Sequence, residues 1–253
     1  MFKNLMMIYL NLKEKKRYEE EVKVIDLSTR LGVLEFWKKL LPETIVGING
    51  KPEYTIPYIL RHTQLLPRQL LVYLNAIFSE SISRTKSAIT PPRSNLIIDC
   101  IRKKEGEVAA QIIDSYRKIW PGSESIIRNI FKKLTNNVMN LKELREASKV
   151  IDRKIKDIHL EYTPEEVIHL LTELGVIGRV IRETDKYIQG RFEYSEPHKL
   201  SLIEEERICL HPVFCEHFDL GDRIRNIKDD FMPVYPYGID PNEIDRREEY
   251  SWF

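Results

Sequence analysis

The sequence predicts a mainly α chain of the α+β class: a helical bundle over residues 26–120, then three helices and a small antiparallel β hairpin over 121–220. Three observations predict it. Apolar residues recur at helical spacing through the first half, as in Leu70, Leu71, Leu74, Ile77 and Phe78. Helix-breaking steps at Pro42, Thr90-Pro-Pro-Arg93 and Pro121-Gly122 cut that pattern into separate helices. Alternation of β-forming residues is confined to Val176–Glu183 and Tyr187–Tyr194, with Arg207–Leu210 as a third strand.

Taken in order, residues 1–25 begin with a short apolar run behind one lysine, then a block of mixed charge from Lys13 to Lys23. The run has no small-residue cleavage site and is too short to span a bilayer, so it reads as an arm or the remnant of an upstream domain. Leu27 to Leu41 follows as a helix carrying Phe36 and Trp37 on its apolar face. Gly47, Gly50 and Pro52 make a turn-rich connection into helices at Tyr58–Gln64 and Arg68–Ser81. Ser94 to Trp120 is helical, with a kink expected near Gly106.

After Pro121-Gly122, helices are expected at Ser123–Leu134, Leu141–Ile151 and Pro164–Leu174. The third carries the clearest signals. Thr163 is a natural N-cap, Pro164 sits at the first helical position, and Glu165 and Glu166 favour the positive helix end. Residues 221–253 mix charges with Pro233, Pro236 and Pro241 and read as an extended tail whose aromatic residues dock on the body or on a partner.

Composition bounds the function. With 253 residues, 42% hydrophobic and 31% charged, the chain has enough core for one large or two modest domains. Three cysteines give no disulfide framework and point to a reducing, cytoplasmic setting. A net charge of +1 excludes whole-molecule attraction to nucleic acid, so any DNA contact must rest on a local face.

Motifs for catalysis are missing. Among the ten glycines there is no Gly-x-x-x-x-Gly-Lys-Ser/Thr run and no Gly-x-Gly-x-x-Gly. A phosphate cradle needs those glycines so that consecutive N–H groups converge on the phosphates. Gly47-Ile-Asn-Gly50-Lys51 has a Gly-Lys step, but Pro52 stands where a helix and a Mg²⁺-binding hydroxyl should begin. Val22–Asp26 has the apolar-then-acid pattern of a Walker B strand, yet Asp26 precedes Ser28 as part of a helix-start signal. No Gly-x-Ser-x-Gly or His-Glu-x-x-His occurs either. Cys209, His211, Cys215 and His217 fall within nine residues, but their spacing is not that of chelating pairs, and a strand running into a helix is the expectation, with no metal.

One stretch points to a role. In Pro57-Tyr-Ile-Leu-Arg-His-Thr-Gln-Leu-Leu-Pro-Arg-Gln-Leu-Leu-Val-Tyr-Leu-Asn75, Pro67 and Arg68 occupy the first turn of an amphipathic helix. The Pro-Arg pair before an aliphatic helix ending in Leu-Asn resembles the sensor-2 region in the helical lid of AAA+-related P-loop ATPases, nearest to the STAND and KAP types. That resemblance implies that Arg68 reaches the terminal phosphates of a nucleotide held by an ATPase core, in cis or in trans. Read without it, Arg68 is a helix-surface arginine or the partner of a neighbouring carboxylate. Arg61 and His62 belong to the same run, with no role assigned.

The three helices and hairpin of residues 121–220 resemble a winged helix-turn-helix, which follows the lid in STAND-type ATPases. The resemblance implies a regulatory or interaction module that does not hydrolyse ATP on its own, with ATP and Mg²⁺ bound only by the ATPase core. The alternative is a DNA-binding winged-helix regulator. Its candidate residues are Arg179, Arg182, Lys186 and Arg191 on the wing. Against it, the third helix presents Glu165, Glu166 and Glu173 with only His169 as a cation, a face that duplex DNA repels.

Overall fold

The computed structural model describes residues 16, 19, 20, 24–47, 50–85, 91–149, 162–195, 200–218, 220, 232–239 and 241. The chain is α+β and divides into two compact units, one of residues 1–59 and 70–104, the other of residues 60–69 and 105–253. Most of the expected arm and the terminal Tyr-Ser-Trp-Phe lie outside the described residues. Among the described residues, no helix is long and apolar enough to cross a membrane.

The first unit opens with α1 (Arg30–Leu40). Its N-cap is Thr29, whose side chain accepts the Gly32 N–H at 3.0 Å. Asp26 sits one turn earlier and shapes the approach, its Oδ1 accepting the backbone N–H of Ser28 at 2.9 Å. Strands β1 (Thr44–Val46) and β2 (Pro52–Tyr54) pair antiparallel. The Gly47 N–H donates to the Lys51 carbonyl at 2.8 Å and closes that hairpin, so the Gly-Lys step belongs to a hairpin connection. Helices α2 (Thr55–Arg61), α3 (Pro67–Thr85) and α4 (Ser94–Ser115) complete the series. Phe36, Leu40, Ile45, Tyr58, Tyr73, Leu74, Ile77 and Ile97 are buried there. Each such side chain contributes about 1.5–3 kcal/mol through removal from water.

The second unit contains α5 (Ser123–Phe131), β3 (Val138–Asn140), α6 (Leu141–Lys149) and α7 (Pro164–Glu173). Then come β4 (Ile177–Glu183), β5 (Ile188–Phe192), a 3-10 turn (Glu193–Ser195), β6 (Arg207–Leu210), α8 (Pro212–His217) and β7 (Val234–Pro236). The strands form one sheet in the order β3-β6-β4-β5-β7, antiparallel except for the β5–β7 pair. Val138, Ile188, Phe192, Cys209 and Val234 form one buried cluster on it.

Two features of this unit depart from the sequence reading. The tail contributes a sheet strand, with Ile188, Gln189 and Gly190 paired to Val234, Tyr235 and Pro236. The helix that begins at Ser94 stops at Ser115, five residues before Trp120, and gives way to turns. Gly175, just past α7, is a position where a side chain is strained. Its φ is +66°, and a Cβ there would stand 2.7 Å from the Tyr194 ring and 2.8 Å from Gln64 Nε2.

Candidate functional site

Arg68 lies in the first turn of α3 behind Pro67, and its side chain is exposed. The helix begins there because Pro supplies a helical φ and needs no N–H partner. The residues just before it behave in the opposite way. Arg61, His62, Thr63 and Gln64 are all buried, and so are Glu105 and His211 opposite them. Polar side chains are buried at this density only when they are bonded to one another.

Their bonds form a knot. Arg61 Nε donates to His62 Nε2 at 3.3 Å, which leaves the imidazole proton on Nδ1, facing the Glu105 carboxylate. The guanidinium of Arg61 also lies over the Tyr235 ring, 5.2 Å from its centre. A neutral imidazole thus bridges a buried cation and a buried anion. Leu60, one residue before, packs on Tyr187, Tyr235 and Ile239.

The following loop is tied down at each residue. Thr63 Oγ1 donates to the Leu60 carbonyl at 2.8 Å and accepts the Leu65 N–H at 3.1 Å. Its own carbonyl accepts His211 Nε2–H at 3.1 Å. Gln64 Nε2 donates to the Leu174 carbonyl at 2.7 Å, satisfying the C-terminal end of α7, while its backbone N–H reaches Gln69 Oε1 at 2.6 Å. Leu65 is held at φ 58°, a left-handed conformation that costs a leucine of order 1 kcal/mol or more. The strain turns the chain outward. Leu65 and Leu66 are exposed, and Arg68 follows them into solvent.

Burial pushes His211 down to about 3, with the bond to the Thr63 carbonyl opposing it. His211 is therefore neutral near pH 7, with its proton on Nε2 for Thr63 and a lone pair on Nδ1 for the Val213 N–H at 3.3 Å.

The wing residues are distributed unevenly. Arg179 and Arg191 face each other across β4 and β5. Arg179 is engaged by Glu206 at 3.6 Å and by the Ser201 carbonyl at 3.4 Å, and Arg191 lies over the Tyr237 ring at 4.9 Å. Arg182 and Lys186 are exposed, Lys186 in the turn between the strands. On α7, Glu165 is close to Arg145 at 3.5 Å, and His169 packs edge-on against Trp120 with its Nε2 3.3 Å from Glu173. The one histidine of that helix is thus turned toward a carboxylate and a ring.

The cysteine and histidine cluster divides between strand and helix. Cys209 is in β6 with its thiol directed at the Gly178 carbonyl, and burial pushes it up to about 12. Cys215 is buried in α8, and His211 is occupied as described. Among the described residues no group of three or more His, Cys, Asp or Glu side chains is placed to hold a metal ion.

Sequence reasoning singled out Arg68, which the structure places in solvent, and missed the knot. The run Arg61 to Gln64 reads as polar, and nothing local in a sequence tells a buried polar residue from a solvated one. The one available signal is density, since four polar residues sit between the apolar Tyr58-Ile-Leu60 and Leu65-Leu66. No protein-family model, no curated protein and no solved structure matches this chain.

Proposed function

We propose that this chain is the nucleotide-sensing lid and winged-helix regulatory module of a P-loop ATPase, with Arg68 as the residue that answers the nucleotide. The observation that carries the reading is the contrast along one short segment. Arg68 is presented to solvent at a helix N-terminus, where the helix dipole also favours an anion, while the residues preceding it are locked into the sheet-bearing unit. A phosphate drawn to Arg68 pulls on a segment that cannot move without disturbing Leu174, His211 and Glu105. That is the mechanical requirement for a sensor that reports nucleotide state.

Two further features support the reading. The order α5, β3, α6, α7, β4 and β6, with β3, β6 and β4 adjacent in the sheet, is compatible with a winged helix-turn-helix that carries β5 and the 3-10 turn as additions to its wing. The sequence has no phosphate-cradling loop, so on this reading the nucleotide is held by an ATPase core. Arg179 and Arg191, held by Glu206 and Tyr237, leave Arg182 and Lys186 as the exposed wing cations, which favours protein docking over DNA reading.

The test titrates ATP–Mg²⁺ and duplex DNA into the chain, alone and with a P-loop ATPase core supplied in trans. A nucleotide response that requires the ATPase and is lost in Arg68→Ala is expected. Duplex binding by the chain alone, steeply salt-dependent and abolished by Arg179→Ala/Arg182→Ala without any nucleotide response, establishes the DNA regulator instead.

A further inference from the structure

The register of β4 against β5 decides which side chains share a face of the sheet. Arg179 pairs with Arg191 and Val180 with Gly190, but the next pair is Arg182 with Gln189, so Ile181 is the extra residue of a bulge. Paired residues lie on one face, and alternate residues of a strand return to it, so Arg191 and Gln189 share a face with their partners. The bulge thus brings Arg182, three residues from Arg179, to the same side. Val180, Ile188 and Phe192 take the other side, in and against the buried cluster of the sheet.

Three guanidinium groups on one face call for anions, because like charges set opposite each other repel. Among the described residues only Arg179 has one: Glu206 stands 3.6 Å from it, and the Ser201 carbonyl accepts its terminal N–H at 3.4 Å. Arg191 lies over the Tyr237 ring at 4.9 Å and forms no ion pair there. Its Nε is enclosed, but its terminal nitrogens are not, and these are the ones a ligand reaches. Arg182 is exposed and forms no ion pair either. The nearby carboxylates do not compensate them. Glu183 pairs with Arg207, Glu193 accepts the Leu200 N–H at 3.1 Å, and Asp185 sits beside Lys186 in the turn.

We propose that this face docks an extended acidic segment of a partner protein, with carboxylates on alternate residues that meet Arg191 and Arg182. Glu206 shows the kind of group the face receives, a carboxylate set against a guanidinium. Spacing selects an extended chain. Alternate residues of a strand are about 6.6 Å apart, and so are the positions of Arg191 and of Gln189, the residue opposite Arg182. Tyr237, 45% exposed, adds aromatic surface beside Arg191 of the kind enriched in protein interfaces. A duplex fits less well, because its continuous phosphates also meet Glu183 and Asp185 at the hairpin end and Glu204, Glu205 and Glu206 just before β6. This inference goes beyond the nucleotide reading and does not rest on it.

The probe is a peptide of alternating glutamate and threonine, titrated into the full chain and followed by backbone chemical shifts, with its glutamine counterpart and a short DNA duplex as comparisons. Saturable binding is expected, weakened by added salt, about threefold weaker in Arg182→Gln and in Arg191→Gln, unchanged in Arg117→Gln outside the sheet, and absent for the glutamine peptide. On the wild-type chain, which needs no variant to fold, the shifts must fall on β4, β5 and Tyr237. No saturable binding, equal binding of the glutamine peptide, or shifts located elsewhere overturns the proposal. Duplex bound more tightly than the peptide at the same salt, through the same arginines, overturns it in favour of a face that reads phosphates.

Discussion

Arg68 and His211 show how two side chains of similar polarity take opposite roles within one unit. Arg68 stays in water and keeps its full charge available, whereas His211 is enclosed, neutral and bonded to the carbonyl of Thr63. The histidine has a measurable signature. Its folded pKa of about 3 lies below the unfolded value near 6.5, so the unfolded chain takes up the proton first. The stabilisation is fully present above pH 6.5 and is lost as pH falls toward 3. Between pH 7 and pH 5 the loss is about 2 kcal/mol, at 1.36 kcal/mol for each unit. Urea unfolding midpoints across that range are expected to fall steeply for the wild type and less steeply for His211→Gln; parallel slopes refute the assignment. Sequence reading reached Arg68 because Pro at a first helical position is a local signal. It did not reach the bonds of His211 and His62, because their partners, Thr63 and Glu105, are supplied by the fold.

At the scale of elements, legibility followed the strength of the end signals. Helix α7 begins at Pro164 as expected because Thr163 and Glu166 form a complete capping box: the threonine side chain accepts the Glu166 N–H at 3.2 Å, and Glu166 accepts the Thr163 N–H at 2.7 Å. The backbone and side-chain bonds from Thr163 also hold the Glu166 carboxyl below its usual range. Thr163→Ala is expected to lower stability by about 1 kcal/mol, read as a shift in the urea midpoint with an unchanged slope. No shift there means that packing of Val167, Leu170 and Leu171 alone holds the helix. Strands β4, β5 and β6 were legible from alternation. Strands β1, β2, β3 and β7 were not, since three residues do not establish a period and Pro52 and Pro236 argue against a strand by composition. Each is placed by the partner it pairs with, which is information from elsewhere in the chain.

For the whole molecule, the fold class was predictable and the grouping of segments was not. Residues 60–69 belong to the same compact unit as residues 105–253, although residues 70–104 separate them in sequence. Nothing local marks such an excursion, because its ends fall inside continuous helices. The far end of the chain matters for the same reason. Tyr235 is fully buried, lies under the Arg61 guanidinium and meets Tyr187 edge-on, while Val234 and Pro236 cover the β5 edge. Ending the chain after residue 231 is expected to cost about 3–5 kcal/mol from the lost aromatic packing and to leave β5 open to pairing with other molecules. Thermal melting and size-exclusion chromatography measure both effects. An unchanged melting temperature in a monomeric truncated chain contradicts this account of β7.

Order of synthesis gives the pinned segment a history. The ribosome delivers residues 61–69 early, but Glu105, Leu174, His211 and Tyr235, which grip them, arrive one after another, the last only near the C-terminus. Until then Arg68 is attached to a segment whose bonds are incomplete. A copy that stops before Tyr235 therefore carries this arginine on a segment that lacks one of its contacts.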